Sequence, residues 1–464
     1  MSATAPEKIP VDELRQRLGG GLFEPGDQEY EIACELFNSM IERRPRYVAR
    51  PLTADDVVVC LAFAREHGLP VATRAGGHSV SGLSLVDDGL VIDMREMNDI
   101  EVDPARRIAS VGGGATWAEF DRATQRHGLA TTGGRVSSTG VSGLTLGGGS
   151  GWLERKHGLA CDNLRGAQIV TADGRVIETD EKRHPDLFWA LRGGGGNFGV
   201  VTRLDFELHE VGPQVFGGLL LHPVERGVEL LGLWRDVMSD APEELSLALA
   251  YMIAPDEPDI PADLRGKPAV VIAGMYAGPV EEGEAALARI RSFGPPAVDF
   301  FGPTDYADFQ SSIDDPPGYR NYWTAEQMTD LSDEAISAIH ERALQMPGTA
   351  PQIFCVAWGG AVARSGSATS PVAGRDTRFV IHPLLLWEDA ADDEKVIAWG
   401  RSFADAVRGY ATGAAYANFV GEEGIDRRVA AYGEANYRRL REVKAAWDPD
   451  DVFHAQGHVG PAGS

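Results

Sequence analysis

The chain has 464 residues, with 69 acidic against 43 basic side chains and a formal net charge of −26. That balance argues against nucleic acid or an anionic membrane as a partner, and no run reaches the roughly 18 uninterrupted apolar residues of a membrane helix. The 4 cysteines (Cys34, Cys60, Cys161 and Cys355) are far apart and form no C-x-x-C pair, so neither a zinc site nor a disulfide framework is indicated and buried free thiols are expected.

The length allows two or three packed cores. Residues 1–10 are polar, with neither an apolar signal core nor a twin-arginine pair, which points to a cytoplasmic protein; a leader is placed over 1–27. Thr53 with Asp56 can cap a helix over 54–67 closed by Gly68, and Thr116 with Glu119 makes a capping box for a helix ending near 127 before Gly128. A strand-like run over 70–73 and short β segments at 90–93, 100–102 and 108–111 lie between them. Glycine is dense from 133 to 151. A hairpin follows over 169–177, turning at Ala172-Asp173-Gly174, then a short helix over 186–191. Over 200–208, apolar and charged residues alternate with a period of two, which reads as a strand. This is α+β, not a regular β-α-β succession.

The character changes after Gly212-Pro213. Strands are expected at 245–253 and 270–275, and amphipathic helices near 281–293, 332–345 and 392–408. Tyr319-Arg320-Asn321-Tyr322-Trp323 suits a substrate wall. The end of the chain holds Tyr416-Ala417-Asn418-Phe419 and a helix over 434–447. The division is a first core over 28–210, a substrate-binding region over 211–412 and a segment over 413–464.

The run Arg74-Ala75-Gly76-Gly77-His78-Ser79 carries the most chemistry. Glycines let backbone N–H groups approach an anion closely, and Arg74 adds charge suited to a pyrophosphate. A histidine at the mouth of a phosphate cradle fits attachment or activation of a cofactor. Gly194-Gly195-Gly196-Asn197-Phe198-Gly199 satisfies G-x-G-x-x-G, but a helix precedes it and a strand follows, the reverse of a nicotinamide-binding Rossmann turn. Gly147-Gly148-Gly149-Ser150-Gly151 lacks the lysine of a P-loop. Several clusters in one half of the chain suggest an extended ligand wrapped by backbone.

These strings resemble the FAD-linked oxidases of the berberine-bridge-enzyme type, within the vanillyl-alcohol-oxidase superfamily. The resemblance rests on Arg74 to Ser79 and on Gly140-Val141-Ser142-Gly143-Leu144-Thr145-Leu146-Gly147-Gly148-Gly149. It also rests on Trp152-Leu153-Glu154-Arg155-Lys156-His157-Gly158-Leu159, on Asp162-Asn163-Leu164, and on Pro185 through Gly199-Val200-Val201-Thr202. It implies a split FAD-binding domain of the PCMH type, built from both chain ends around an inserted antiparallel substrate domain. His78 would be bonded to the flavin 8α carbon. The position where some members carry a second, cysteinyl bond is Val136, so a single linkage is implied. The FAD would be lined by Arg74, Ala75, Gly76, Gly77, Ser79, Gly82, Gly133, Gly134, Val136, Ser137, Thr139, Gly140, Gly143 and Gly149. Trp152, Asn163, Gly199, Val201, Asn418, Gln456 and His458 complete that set. The chain departs from the family pattern at Ala75 (usually Gly), at Gln456-Gly457-His458 (usually Asn-x-Asn) and at Thr324 (often Lys after the Tyr-Trp pair).

For the chemistry, a base must sit within reach of the alcohol or amine proton that leaves with the hydride. Tyr416 matches a family tyrosine facing the flavin and is the first candidate. His382 is a lone polar residue in Phe379-Val380-Ile381-His382-Pro383, expected to point into the cleft because its burial without a partner is costly; a satisfied core histidine is the alternative. Tyr322, with Tyr319 and Trp323, is a candidate for the aromatic wall, and core packing is an equal reading. Of the other first-half histidines, His67, His127, His157 and His184, no two have metal-ligand spacing, so no metal is expected. The function expected is a covalent-FAD oxidase acting on a CH–OH or CH–NH group of a medium-sized metabolite or sugar derivative, with O2 reduced to H2O2. A dehydrogenase using another acceptor is the nearer alternative; a nucleotide-holding protein without redox turnover is the more distant one. A monomer or homodimer is expected.

Overall fold

Both capping boxes form. Thr53 Oγ1 accepts from Asp56 N at the start of Ala54–Glu66, and Thr116 Oγ1 from Glu119 N at the start of Trp117–Gln125, each returned by the carboxylate. The computed structural model describes residues 11–421, 423–454 and 459–463. Around these helices lie two sheets of the first half. One has four strands in the order Gly21–Phe23, Tyr47–Arg50, Leu90–Asp93, Val71–Arg74. The other has five, in the order Ile100–Asp103, Ile108–Gly112, Val200–Glu207, Leu164–Val170, Val176–Thr179. Ile169 pairs with Ile177 across the expected hairpin. Helix Pro185–Leu191 precedes Gly194 and strand Val200–Glu207 follows Gly199, as the order of elements around that glycine string requires.

The leader placed over 1–27 needs correction. Asp12–Arg17 is a helix and Gly21–Phe23 pairs antiparallel with Tyr47–Arg50. Leu14, Leu18 and Leu22 are buried in the same core as Val57 and Leu61, and Gly19 N donates to Asp56 Oδ1 at 2.7 Å. Leu14 on the helix, Leu18 at its extended C-cap and Leu22 on the strand all turn into this core, and each gains about 1.5–3 kcal/mol on burial. The folded first half therefore begins at about residue 12; residues 1–10 lie outside the described residues. Cys34 is half-buried, not buried, while Cys60, Cys161 and Cys355 are buried free thiols.

Residues 214–387 build a nine-stranded sheet. Its long neighbours Gln214–Pro223, Pro268–Tyr276, Leu245–Ile253, Gln352–Ala357 and Phe379–Trp387 are all antiparallel. Period-two alternation sorts their side chains. Leu247, Leu249 and Tyr251 pack with Leu230, Trp234, Ile336 and Phe403 of the covering helices. Ala248 and Met252 turn to the opposite face, where small side chains leave room above the sheet. The last helix, Glu434–Trp447, returns to the first half: Leu440 and Val443 share a core with Leu187 and Leu191. Buried Lys444 Nζ donates to Asn197 O at 2.9 Å and to Asp448 Oδ2 at 2.6 Å. The cation is thus compensated by a carboxylate and a carbonyl, which a buried charge requires. Among the described residues, no helix is long and apolar enough to cross a membrane.

Candidate active site

A cavity of about 1280 Å³ runs from the glycine loops of the first half onto the open face of the large sheet. Single-ligand pockets are roughly 300–1,000 Å³, so this one has room for a cofactor and a second molecule. Strand Val71–Arg74 ends at the cavity, and residues 75–79 line it. Gly76 and Gly140 meet backbone to backbone: a Cβ on Gly76 would fall 2.3 Å from Gly140 N. Around Gly143, by contrast, a Cβ would meet nothing within 4 Å, so the backbone there faces open space. Ala75 is not among the residues with positive φ, so the methyl group is tolerated. The backbone N–H groups of residues 76–79 find no partner among the described residues. Bare donors around a cavity fit the diphosphate and ring edge of a dinucleotide.

His78 stacks on Phe37, with centroids 4.4 Å apart, and its Nε2 lies 2.9 Å from Ser138 Oγ. Burial, helped by the nearby Arg74 charge, pushes the imidazole down to about 4, so the ring is neutral near pH 7. Gly134, Val136, Thr139, Gly140, Gly143, Gly199, Val201 and Asn418 also line the cavity.

Other expected contacts are set behind this wall. Arg74 alternates away from Thr73 and Ala75 along its strand. Its guanidinium is buried, donating to Glu35 O at 3.1 Å and lying 3.8 Å from Asp93 Oδ1, so it braces the loop instead of reaching a pyrophosphate. Gly82 packs against Ile41, where a Cβ would come within 2.7 Å, and Gly133 against Trp117, at 2.6 Å. Ser137 N and Oγ both donate to Asp314, at 2.6 and 2.5 Å. Trp152 is buried beneath the Arg135 guanidinium, 4.8 Å from its ring. Asn163 donates to the carbonyls of His157 and Leu159 and faces His209 Nε2 at 2.7 Å. Gln456 and His458 lie outside the described residues.

Tyr416, the first candidate for the base, and Tyr322, a candidate for the aromatic wall, are both engaged by the protein itself. Tyr416 is 1% exposed and its hydroxyl accepts from Gly149 N at 2.6 Å. Burial pushes this phenol well above its ordinary range, which disfavours a base. With Asn418 Nδ2, which donates to Leu144 O at 2.9 Å, it clamps the loop in which Gly148 and Gly149 have positive φ. Tyr322 lies on the opposite side of strand Arg320–Trp323 from Trp323 and packs against Gly400 of helix Asp393–Val407. It belongs to the core with Leu385 and Trp387 and does not reach the cavity.

His382 does reach it. Its Nδ1 lies 2.9 Å from Thr324 O, and since a carbonyl can only accept, Nδ1 carries the proton. Nε2 is then a bare lone pair, buried with no partner among the described residues. Burial, and secondarily the Arg135 charge, depresses the imidazole to about 3. Phe419 stacks on it at 4.2 Å and Trp323 meets it edge-on at 5.3 Å. Trp323 in turn touches Phe37, so a row of rings runs from His78 to His382.

Sequence reasoning missed Phe419, Gln352, Phe354 and Asp315 on the cavity wall. The alternation of Gln352 and Phe354 along one strand was a readable signal; Asp315 sits in a loop and had none.

Two family models match: one described as FAD binding domain over 45–180, the other as Berberine and berberine like over 415–459. An FAD-linked oxidoreductase of Dictyostelium discoideum is 30% identical over 458 residues, covering 97% of this chain and 97% of that protein. The chain belongs to the berberine-bridge-type FAD-linked oxidoreductases. As such it is an FAD-dependent oxidoreductase with a PCMH-type binding domain. The (R)-6-hydroxynicotine oxidase of Paenarthrobacter nicotinovorans is 29% identical over 458 residues, covering 96% of this chain and 97% of that one. The crystal structure of 6-hydroxy-D-nicotine oxidase from Arthrobacter nicotinovorans has a TM-score of 0.86 at 25% identity, over 95% and 98% of the two chains. A xylooligosaccharide oxidase from Myceliophthora thermophila, with a TM-score of 0.86 at 21% identity over 98% and 100%, shares the fold.

In this family member, Tyr416→Phe separates a clamp from a base. Removing the hydroxyl leaves the buried Gly149 N–H unpaired, which costs about 1–3 kcal/mol. The melting temperature is expected to fall while the pH profile of turnover keeps its shape. A lost limb in that profile would return the phenol to the chemistry.

Proposed function

We propose that this oxidoreductase is a covalent-flavin oxidase that removes hydride from a carbon bearing an alcohol or amine on a medium-sized molecule and passes the electrons to O2. One observation carries the reading: a single cavity joins the glycine cradle and His78 to a chamber into which His382 presents an unpartnered nitrogen. FAD, when bound, supplies hydride acceptance and the reduction of O2 to H2O2. The chain's own part is to hold and orient. Residues 76–79 and Gly140 offer backbone donors to the cofactor. His78, neutral and with Nε2 engaged by Ser138, has Nδ1 left for the bond to the flavin. Val136 presents an alkyl group to the cavity and, having no sulfur, cannot add a cysteinyl thioether to the histidyl bond.

His382 Nε2 accepts the substrate's O–H or N–H proton. Its Nδ1–H bond to Thr324 O fixes the tautomer and raises the imidazole's proton affinity against the burial that depresses it, so proton transfer is coupled to departure of the hydride and does not precede it. Phe419 and Trp323 fix the ring plane. The sheet floor and residues 312–319 keep the reacting carbon out of bulk water.

The test is the visible spectrum of purified protein before and after acid precipitation, followed by peroxide detection with alcohols, sugars and cyclic amines. Yellow colour that stays with the precipitate and peroxide formed in step with donor oxidation are expected. Colour that leaves with the supernatant removes the covalent bond from the reading. Slow reoxidation by air in stopped flow would make the enzyme a dehydrogenase.

A further inference from the structure

We propose that Asp315 anchors a positively charged nitrogen of the substrate, so that the donor class is an alkyl amine protonated near pH 7; this rests on the oxidoreductase reading above. Asp315 lies in the segment 312–319 over the chamber and is half-buried, facing the cavity. Gln352 Nε2, from the sheet floor, donates to its Oδ1 at 3.1 Å and sets the plane of the carboxyl group. No ion-pair partner for Asp315 occurs among the described residues. Its neighbour Asp314 is already occupied by Ser137 N and Oγ. Desolvation, with the Asp314 charge beside it, pushes the Asp315 carboxyl up to about 6. A carboxylate partly withdrawn from water and given one amide donor but no cation is incompletely compensated. A ligand ammonium would supply what the protein withholds.

The surroundings give the charge a sign. On the sheet side of the cavity and on residues 312–319, the charged side chains are Asp256, Glu257, Asp314 and Asp315, all acidic. The cationic side chains on the rest of the cavity wall are Arg135, paired with Glu154 at 2.7 Å, Arg427, paired with Glu326 at 3.3 Å and with Glu423 at 3.0 Å, and Arg428. An anionic ligand is repelled at the acidic side, and a neutral one gains at most a hydrogen bond from Asp315 where a cation gains an ion pair as well. A second, independent feature points to a ligand in the same chamber: His382, 1% exposed, whose Nε2 has no partner among the described residues. One wall therefore holds a carboxylate without a cation and another an acceptor without a donor. Both are completed by a molecule that carries a charged nitrogen and an N–H or O–H to give up.

The test compares two isosteric probes on the flavin-loaded enzyme at pH 7.5. N-methylbenzylamine is a cation there and benzyl methyl ether is neutral. Binding is read by titration calorimetry. The amine is expected to bind about tenfold or more tightly than the ether, a difference worth about 1.4 kcal/mol. Asp315→Asn, which keeps the Gln352 bond, is expected to abolish that preference while leaving the ether unchanged; Asp315→Glu is expected to retain part of it. Equal binding of the two probes by the unmodified enzyme, including no binding of either, overturns the proposal, as does an Asn variant that keeps the preference. The oxidase reading fails separately, if no alcohol, sugar or amine reduces the flavin with formation of peroxide. Peroxide from neutral donors alone, beside equal probe binding, ends the amine class and keeps the oxidase.

Discussion

His78→Ala is expected to release to the acid supernatant all of the flavin that, on the covalent attachment proposed above, precipitates with the unmodified protein. The intact-mass spectrum should lose the whole adenine-dinucleotide increment. The physical case is local. The imidazole sits at the end of a strand, at the mouth of a cavity ringed by bare backbone donors. It is held flat by Phe37 and has one nitrogen engaged by Ser138. Burial keeps it neutral, the form in which a ring nitrogen is nucleophilic. Alanine removes the nucleophile and leaves the cradle, because the close approach of Gly76 to Gly140 involves backbone alone. Weak, reversible FAD binding is therefore expected to survive. Ser138→Ala should slow attachment without preventing it. If the alanine variant kept its flavin through denaturation, the attachment point would lie elsewhere in the chain.

The second large effect is expected at His382. Replacing it by alanine removes the proposed proton acceptor and should lower kcat by about 10²–10⁴, the usual worth of general base catalysis. Substrate affinity should change far less, since the ring is one wall among several. His382→Gln keeps a polar group of similar reach but no basic nitrogen, so it should resemble alanine in rate. A merely structural histidine would give the opposite pattern, with thermal stability lost and the rate per folded molecule preserved.

The two proteins should also differ in their response to acid. The folded imidazole is depressed to about 3 by burial, against an ordinary value of 6.5. Between those limits the unfolded chain binds a proton that the folded one refuses, so this group's contribution weakens as pH falls from 6.5 towards 3. The Gln variant lacks that loss and should gain on the unmodified enzyme in melting temperature over the same interval. His78 and His157 are depressed in the same direction, but they are common to both proteins and cancel in the comparison.

Much of the fold is legible because it is locally encoded. The two capping boxes, the Ile169–Ile177 hairpin, strand Leu245–Ile253 and helix Glu434–Trp447 each follow from spacing and turn residues within one window. Glycines 76, 140 and 143 were placed for the same reason, since a missing side chain is visible in the sequence. The misassigned leader shows the limit of composition. Leu14, Leu18 and Leu22 sit on a helix, its cap and a strand, and only the core around Val57 and Leu61 brings them to one side.

Tyr416, Tyr322 and Arg74 show where residue type alone misleads. Each is a chemically capable group, and each is turned away from the cavity by its register: Tyr416 onto Gly149, Tyr322 onto Gly400, Arg74 onto Asp93. Asp315 is the reverse case, an unremarkable loop aspartate until Gln352 and the sheet face are set against it.

The amino-acid sequence determined the α+β elements, the glycine cradle with its histidine, and the kinship that brings FAD to this protein. Those features are short-range: capping, alternation and absent side chains act within a few residues. The tertiary structure decided which polar groups meet in the chamber. His382 and Asp315 owe their altered proton affinities to burial and to partners outside their own local segments. Desolvation of that kind exists only after the sheet, the loop over it and the glycine-rich half have closed around one cavity.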